Sequence, residues 1–414
     1  MGRIIGIRHR VKKTAKGEAR PTQIVIKDGC ALEYYDLDDE TAELDFVCGR
    51  FPIEYRQTRE GENLAEFRSH HIKTRKKKES NERTLKVPSK YDGLQDGDIA
   101  VMALGGSGDR LAYALSRRGD RIGAKVLRIP PSTLKKTREN WGEIKEDDAK
   151  TLISLFESSR NLFYELTTRD RDLIKASESL RARRDVQKDR IACGQRLRQR
   201  FIGQIFLSDS GYYPEGSIED EYDKIKATDI ILRNLVGEEK KREKELRKAV
   251  NELNVWYTIF SPIKSCGEVI AAGIITPIGN ILRFPTDAKL KKFAGVHVLE
   301  DGRFARKRTG TVANWNPQLR QALYLLGDQF NRHPDSVWGQ KLREYKVKFR
   351  EKHPEVVENG KKKYSNGHIH KMATWRTLTK FVEWLHREWT RIEREAERSA
   401  KYTQKRGTSY AMSK

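Results

Sequence analysis

The distribution of apolar and polar positions divides the chain into three stretches of different texture. In the first, short apolar runs are separated by turn residues, a pattern that predicts strands. Arg3-Ile4-Ile5-Gly6-Ile7, Thr22-Gln23-Ile24-Val25-Ile26 and Ala31-Leu32-Glu33-Tyr34-Tyr35 are such runs, the last two joined by a Lys27-Asp28-Gly29 turn. A helix is predicted over 41–50. Residues 57–90 turn strongly polar around Lys73-Thr74-Arg75-Lys76-Lys77-Lys78, and are expected to form a mobile basic insertion. A buried strand follows at 98–102. Gly105-Gly106-Ser107-Gly108 then opens a helix over 109–117 with Leu111, Ala114 and Leu115 on one face. Residues 122–127 form another strand, stopped by Pro130-Pro131. Together these predict a mixed α/β domain over 1–146.

From residue 147 the period changes to that of long helix. Between 148 and 207 there is no proline, and glycine occurs only at 194 and 203. Leu152, Leu155, Phe156, Leu162, Phe163, Leu166, Leu173 and Ile174 recur at steps of three and four. One helix of this length would reach roughly 80–90 Å. The cluster Ser208-Asp209-Ser210-Gly211-Tyr212-Tyr213-Pro214-Glu215-Gly216 marks a turn. A second helix over 218–257 returns with Ile225, Ile230, Ile231, Leu232, Leu235, Leu246, Val250 and Leu253 on its apolar side. Residues 147–257 therefore predict an antiparallel coiled-coil hairpin. A third, all-helical domain is predicted over 258–398, with helices over 316–332, 336–352 and 370–398, and a flexible polar tail over 399–414.

Composition sharpens the picture. The 83 basic residues outnumber the 59 acidic ones, leaving a net charge of +24 that attracts polyanions. Nucleic acid is the expected partner, because phosphate contacts release counterions whatever the sequence. No apolar run approaches the roughly 18 residues of a spanning helix, and Met1-Gly2-Arg3-Ile4-Ile5-Gly6-Ile7-Arg8 does not read as a signal peptide. Cys30, Cys48, Cys193 and Cys266 are widely spaced with no CxxC pair, which predicts reduced thiols in a cytoplasm and neither a disulfide framework nor a zinc site.

The passage 261–320 concentrates the candidate chemistry. Residues 261–270 read as one helix ending and another starting across a glycine turn, a helix-hairpin-helix pattern whose backbone N–H groups suit phosphate. Phe284-Pro285-Thr286-Asp287-Ala288-Lys289 is a proline-led stop with a Thr or Asp N-cap, opening a short helix closed by Gly295. A basic hairpin-like stretch follows over 301–310. Aromatic and basic residues alternate here, as base stacking plus phosphate contact requires.

GNILRFPTDAKLKKFAGV at 279–296 and GRFARKRTGTVANWNPQLRQALYLLGD at 302–328 resemble two related families. One is the C-terminal domain of bridge-RNA-guided transposases, which join a RuvC-like domain to a coiled coil. The other is the Nop domain of box C/D ribonucleoprotein core proteins. GHIHKMATWRTLTKFVEWL at 367–385 resembles the closing helix of the transposase group. The order of parts is most similar to the Tas family of tandem interspaced guide RNA (TIGR) systems. That resemblance implies an RNase H/RuvC-like N-terminal domain, a coiled-coil hairpin and an all-α Nop-like C-terminal domain, from a prokaryote, phage or mobile element. It implies a guide RNA gripped by Lys289, Lys291, Lys292, Arg303, Arg306, Lys307, Arg308, Asn314 and Arg320, and target DNA selected by base pairing. Arg181, Arg183, Arg184, Arg196, Arg198 and Arg200 are expected either to line a channel for the nucleic-acid backbone or to form a solvated coiled-coil face. A homodimer is expected.

RuvC-like nucleases hold two Mg²⁺ ions with about four carboxylates. The resemblance carries these positions onto Arg8, Ala103, Lys145 and Asp148, so one acid of four survives in register. Glu18, Glu146 and Asp147 are shifted substitutes. Asp147 and Asp148 equally suit the first turn of a helix, where carboxylates meet the positive end of the dipole. The transposases also carry a serine nucleophile after the AGV step; His297-Val298-Leu299-Glu300-Asp301-Gly302-Arg303 has none. Ser69-His70-His71 and His368-Ile369-His370 read as surface histidines, since no Asp or Cys stands at ligand spacing. Gly105–Gly108 lacks the Lys-Ser/Thr of a P-loop. The expectation is an RNA-guided DNA-recognition protein. Its alternatives are a guided Mg²⁺-dependent endonuclease with a divergent site, with Asp148 as a metal ligand, and an RNA-protein scaffold that does not touch DNA.

Overall fold

The computed structural model describes residues 2–11, 19–76, 83–103, 106–264, 266–300, 302–307, 309–310, 312–355, 357–358, 361–362 and 364–411. Chain contacts divide it into two units, Met1–Arg171 and Asp172–Lys414.

In the first unit, β1 (Ile4–Arg8), β2 (Thr22–Asp28) and β3 (Ala31–Leu37) form an antiparallel meander, as the three apolar runs predict. Asp39 caps α1 (Glu40–Val47) by accepting from the Ala42 N–H. The basic insertion is a loop over 58–72 but contains strands beyond it. β4 (Phe51–Gln57), β5 (Lys73–Lys76) and β6 (Arg83–Asp92) make a separate three-stranded antiparallel sheet in the order β4-β6-β5. Charge misled the sequence reading because backbone pairing, not apolarity, holds these strands: β6 pairs with β4 up to Gln57↔Lys86 and with β5 over Lys73↔Lys86 to Lys76↔Arg83. Lys77 and Lys78 lie outside the described residues.

β7 (Ile99–Ala103) then pairs parallel to β1, followed by α2 (Asp109–Ile122) and β8 (Lys125–Ile129) parallel to β7. The helix runs through the start of the strand expected at 122, and stops at Gly123 with φ 80°. Pro131 takes the first position of an unpredicted helix, α3 (Pro131–Trp141), instead of merely stopping a strand. The single helix predicted from 148 to 207 is broken. α4 (Asp148–Ser158) packs on β1 and belongs to the first unit; β9 (Tyr164–Glu165) pairs antiparallel with β8 and completes the order β3-β2-β1-β7-β8-β9. The packing of α4 on β1 is backbone to backbone: a Cβ on Gly6 would lie 1.9 Å from the Ala149 carbonyl oxygen. Val25, Val101, Leu127, Ala149, Leu152, Ile153 and Phe156 fill the core beneath.

α5 (Thr168–Phe206) opens on a cap in which the Thr167 N–H and hydroxyl both donate to Asp170, at 3.0 and 2.8 Å. In the second unit it runs antiparallel to α6 (Ile218–Thr228) and α7 (Ile230–Asn251), as the falling pairs Arg183–Glu243, Arg190–Glu239 and Arg198–Glu219 establish. The return helix breaks at Asp229, whose carboxylate caps α7 at the Leu232 N–H. A π-helical turn at Trp256–Phe260 leads into α8 (Glu268–Ile278), α9 (Asp287–Ala294), α10 (Pro317–Arg332), α11 (Val337–Lys352) and α12 (Asn366–Ala411). The tail expected to be flexible from 399 continues α12 to Ala411. These helices share one apolar core that includes Val250, Phe260, Ile274, Leu290, Leu323, Leu326, Phe381 and Trp389. Among the described residues, no helix is long and apolar enough to cross a membrane.

Candidate nucleic-acid interface and the carboxylate end of the sheet

β1 and β7 are parallel neighbours in register at Ile7 and Met102, so Arg8 and Ala103 stand side by side where the two strands end. Asp148 starts α4, which packs on β1, and the Arg8 charge bears on both Asp148 and Glu146. The topology thus gathers the carried-over positions, but their electrostatics are those of a cation-filled site. The Arg138 guanidinium lies 2.6 Å from Asp148 Oδ1, and Asp148 is 6% exposed. Burial pushes the Asp148 carboxyl above its ordinary value even against Arg138, Lys145 and Arg8. Glu146 is ion-paired with Arg20, and its carboxyl is held low by its own backbone N–H, Arg20 and Arg8. Asp147 is exposed, and its carbonyl accepts from the Thr151 hydroxyl at 3.0 Å. Arg8 Nε is buried without a hydrogen-bond partner. The carboxylates Glu146 and Asp148 are thus already met by cations of the protein itself. Glu18 lies outside the described residues.

Sequence reasoning missed Glu43 at this side of the sheet. It is buried, accepts from the Thr22 hydroxyl at 2.6 Å, and lies 3.3 Å from His9 Nε2 and 3.5 Å from Arg10 Nε. Burial pushes its carboxyl up, but the His9, Thr22 and Arg10 contacts outweigh that and hold it low. No spacing along the chain signals this pair, because a strand and a helix bring it together.

In the second unit, α9 forms as predicted. Thr286 caps its start through the Lys289 N–H, and Gly295, at φ 70°, closes it. Lys289 and Lys292 are exposed. Lys291 is not available in the same way: it pairs with Asp287 at 2.9 Å and Glu383 at 3.0 Å. Beyond Gly295, Val298 bridges Phe304 and the Leu299 N–H donates to the Arg303 carbonyl, making the basic stretch a small hairpin. Arg303, Arg306, Lys307 and Asn314 are exposed on and after it; Arg308 and Asp301 lie outside the described residues.

Arg320 turns inward. Its guanidinium donates to the Gly295 carbonyl at 2.8 Å and the Ala305 carbonyl at 2.7 Å, between Trp315 and Trp375 at 4.4 and 4.5 Å. Burial lowers its pKa. It is therefore a staple of the hairpin rather than a surface cation.

The cations of α5 divide in the same way. Arg183 pairs with Glu239 and Glu243 across the hairpin, at 3.3 and 3.2 Å, and Arg198 pairs with Glu219. Arg181 pairs with Glu178 within the helix. Arg184 is half-buried, donates to Gln318 at 3.0 Å, and has its pKa lowered by burial and by Arg183. Arg196 and Arg200 are exposed. Arg183 and Arg198 are thus engaged by carboxylates of the returning helices.

His368 is exposed and His370 half-buried, with burial lowering the pKa of His370. In Ser69-His70-His71 the first two residues are exposed, and His71 alone departs from the surface reading. His71 is 3% exposed, and both imidazoles contact Asp45, a residue too distant in sequence for ligand spacing to reveal.

No curated protein matches the chain. Residues 257–339, about one fifth of the chain, run from the π-helical turn through α8, α9, the basic hairpin and α10 into α11, and they match the model of the Transposase IS116/IS110/IS902 family.

Proposed function

We propose that this chain is an RNA-guided DNA-recognition protein of the Tas type. Its α8–α10 module would grip a structured guide RNA in the manner of a Nop domain, and its N-terminal unit would be an RNase H/RuvC-like domain that no longer cuts. The observation that carries the reading is that the match to the transposase family falls on the module presenting Lys289, Lys292, Arg303, Arg306 and Lys307 to solvent. The net charge of +24 supports a polyanionic partner. The strand order β3-β2-β1-β7-β8, with three antiparallel strands followed by two parallel ones, supports the RNase H-like assignment.

The loss of cleavage follows from charge. Two-metal hydrolysis needs converging carboxylates to hold the cations that stabilise the attacking and leaving oxygens. In this unit Arg8 occupies one such position, Ala103 another, and Asp148 is neutralised by Arg138. Target recognition would then rest on guide pairing, with the protein contacting backbone shape. A homodimer and a duplex channel along α5 are part of the same proposal, with Arg196 and Arg200 among its exposed cations.

The test is to express the chain with its flanking genomic DNA, purify it and sequence the RNA that remains bound. A discrete short RNA that confers binding to matched duplex DNA, without Mg²⁺-dependent cleavage, is the expected result. Cleavage by the chain, or by Ala103→Glu, would establish the endonuclease alternative. Tight RNA binding with no RNA-dependent DNA affinity would leave the scaffold alternative. Heterogeneous RNA would overturn the guided reading altogether.

A further inference from the structure

We propose that Asp45, His70 and His71 form a site for a divalent transition-metal ion of the zinc class, clasping the turn that precedes β5 to α1. The inference does not depend on the nucleic-acid reading.

His70 Nε2 and His71 Nε2 approach the same oxygen, Asp45 Oδ2, at 2.9 and 2.7 Å. The three donor atoms lie within 4.8 Å of one another. A tetrahedral ion about 2.0–2.1 Å from each donor spaces its donors roughly 3.3 Å apart. The two His–Asp45 contacts fall about half an ångström short of that spacing. Two imidazoles and one carboxylate form a common ligand set for zinc, with a fourth position left for solvent on the exposed side. That side exists here: the His70 side chain is 41% exposed, while those of Asp45 and His71 are 3% exposed.

An outer-shell contact is in place on the carboxylate, while the buried imidazole has none at its second nitrogen. Asp45 Oδ1 accepts from Arg68 Nη1 at 3.1 Å, which orients the carboxylate and leaves Oδ2 for the ion. His71 packs against Tyr91 of β6 at 5.7 Å between ring centroids. His71 Nδ1 is buried without a partner, so Nε2 alone holds that ring by a polar contact. Asp45 sits on α1, whereas His70 and His71 sit on the 3₁₀ turn Ser69–His71. An ion would thus tie the separate three-stranded sheet to the helix beneath it.

Arg68 offsets the one carboxylate charge, so the site should discriminate by ligand chemistry rather than by net charge. Imidazole favours zinc, cobalt, nickel and copper, whereas magnesium prefers oxygen ligands and retains its water.

The full chain, stripped with chelator and dialysed, would be titrated with Zn²⁺ against a chromophoric chelator and separately with Co²⁺. The expected result is one ion per chain, a visible Co²⁺ spectrum of tetrahedral intensity, and a rise in Tm with added Zn²⁺. Excess Mg²⁺ should not displace the ion. His70→Ala, an exposed position that folding tolerates, should weaken binding by more than about tenfold; Asp45→Asn should do the same if it folds. A His368→Ala/His370→Ala variant should bind as the parent does. Absence of binding, binding that survives His70→Ala, binding lost in the His368/His370 variant, or displacement by Mg²⁺ would each overturn the site.

Discussion

Arg138 Nη1 and Asp148 Oδ1 are 2.6 Å apart, with the carboxylate buried at the first residue of α4 and the guanidinium reaching it from α3. A cation from the protein thus occupies the one acid that the family resemblance carries onto this chain. The pair is also a stability element, because neither charge is solvated enough to stand alone.

Arg138→Met leaves Asp148 as an unpaired buried carboxylate, and should cost about 3–5 kcal/mol at neutral pH by urea denaturation. The pH dependence has a definite sign. Asp148 already has its folded-state pKa raised by burial, so the folded chain holds that proton more tightly than the unfolded one. Its stabilising contribution is full below the unfolded value of about 3.9 and is lost as pH rises through the folded value. Removing Arg138 raises the folded value further, so the variant's deficit should shrink as pH falls from about 7 to about 5. A deficit constant over that span would exclude the ion pair as its cause.

Gly6→Ala should prevent the first unit from folding, because the new Cβ would sit 1.9 Å from the Ala149 carbonyl oxygen and both sides of the contact are backbone. Gly29→Ala is the control. Gly29 has φ 57° in an open turn with nothing within 4 Å, so alanine there should cost only about 1 kcal/mol. Soluble yield and Tm of the two variants decide the matter; equal behaviour would contradict the close approach of α4 to β1.

Arg320→Ala and Arg306→Ala should fail in different ways. The first removes two charge-assisted hydrogen bonds and two cation–π contacts, for an expected loss of about 2–4 kcal/mol in stability. The second, at an exposed position, should leave stability within about 0.5 kcal/mol. It should instead lower the slope of log K against log salt for single-stranded RNA by roughly 0.7. If Arg320→Ala changed the salt slope and left stability intact, its role as a staple would be wrong.

Glu239 is buried between Arg183 at 3.3 Å and Arg190 at 2.5 Å. Glu239→Ala takes the Glu239 carboxylate from Arg190 and leaves Arg183 with Glu243 alone, and should destabilise the helical hairpin by about 3 kcal/mol. Glu219→Ala breaks the exposed pair with Arg198 and should cost less than about 1 kcal/mol. Helicity followed through thermal unfolding separates the two; equal losses would mean that burial of Glu239 is energetically irrelevant.

Local signals were legible wherever a short stretch carried both its pattern and its stop. The β1–β3 meander, the buried strand β7 and the capped helix α9 lie where alternation, Thr286 and Gly295 predict them. The break between α4 and α5 was not, because Phe156 and Phe163 keep a helical spacing while actually meeting edge to face at 5.5 Å across a turn. Its one local sign was the Thr167 and Asp170 cap that restarts the helix. Asp229 marked the second break in the same way. The site residues divide along a similar line. Lys289 and Lys292 are exposed, as a basic run on an amphipathic helix implies. The inward roles of Arg320 and Lys291, and the meeting of Asp45 with His71, depend on partners from distant elements that no spacing encodes.

Arg320 has a kinetic consequence. By fixing the carbonyls of Gly295 and Ala305 at once, it holds both ends of the basic hairpin before any ligand arrives. The entropy of ordering that loop is then spent during folding, and association need not supply it again. For the polyanion of the proposed function this surface is a hairpin already tied by Arg320, so weakening the staple should slow productive capture and shorten the lifetime of that complex, even with every surface charge in place.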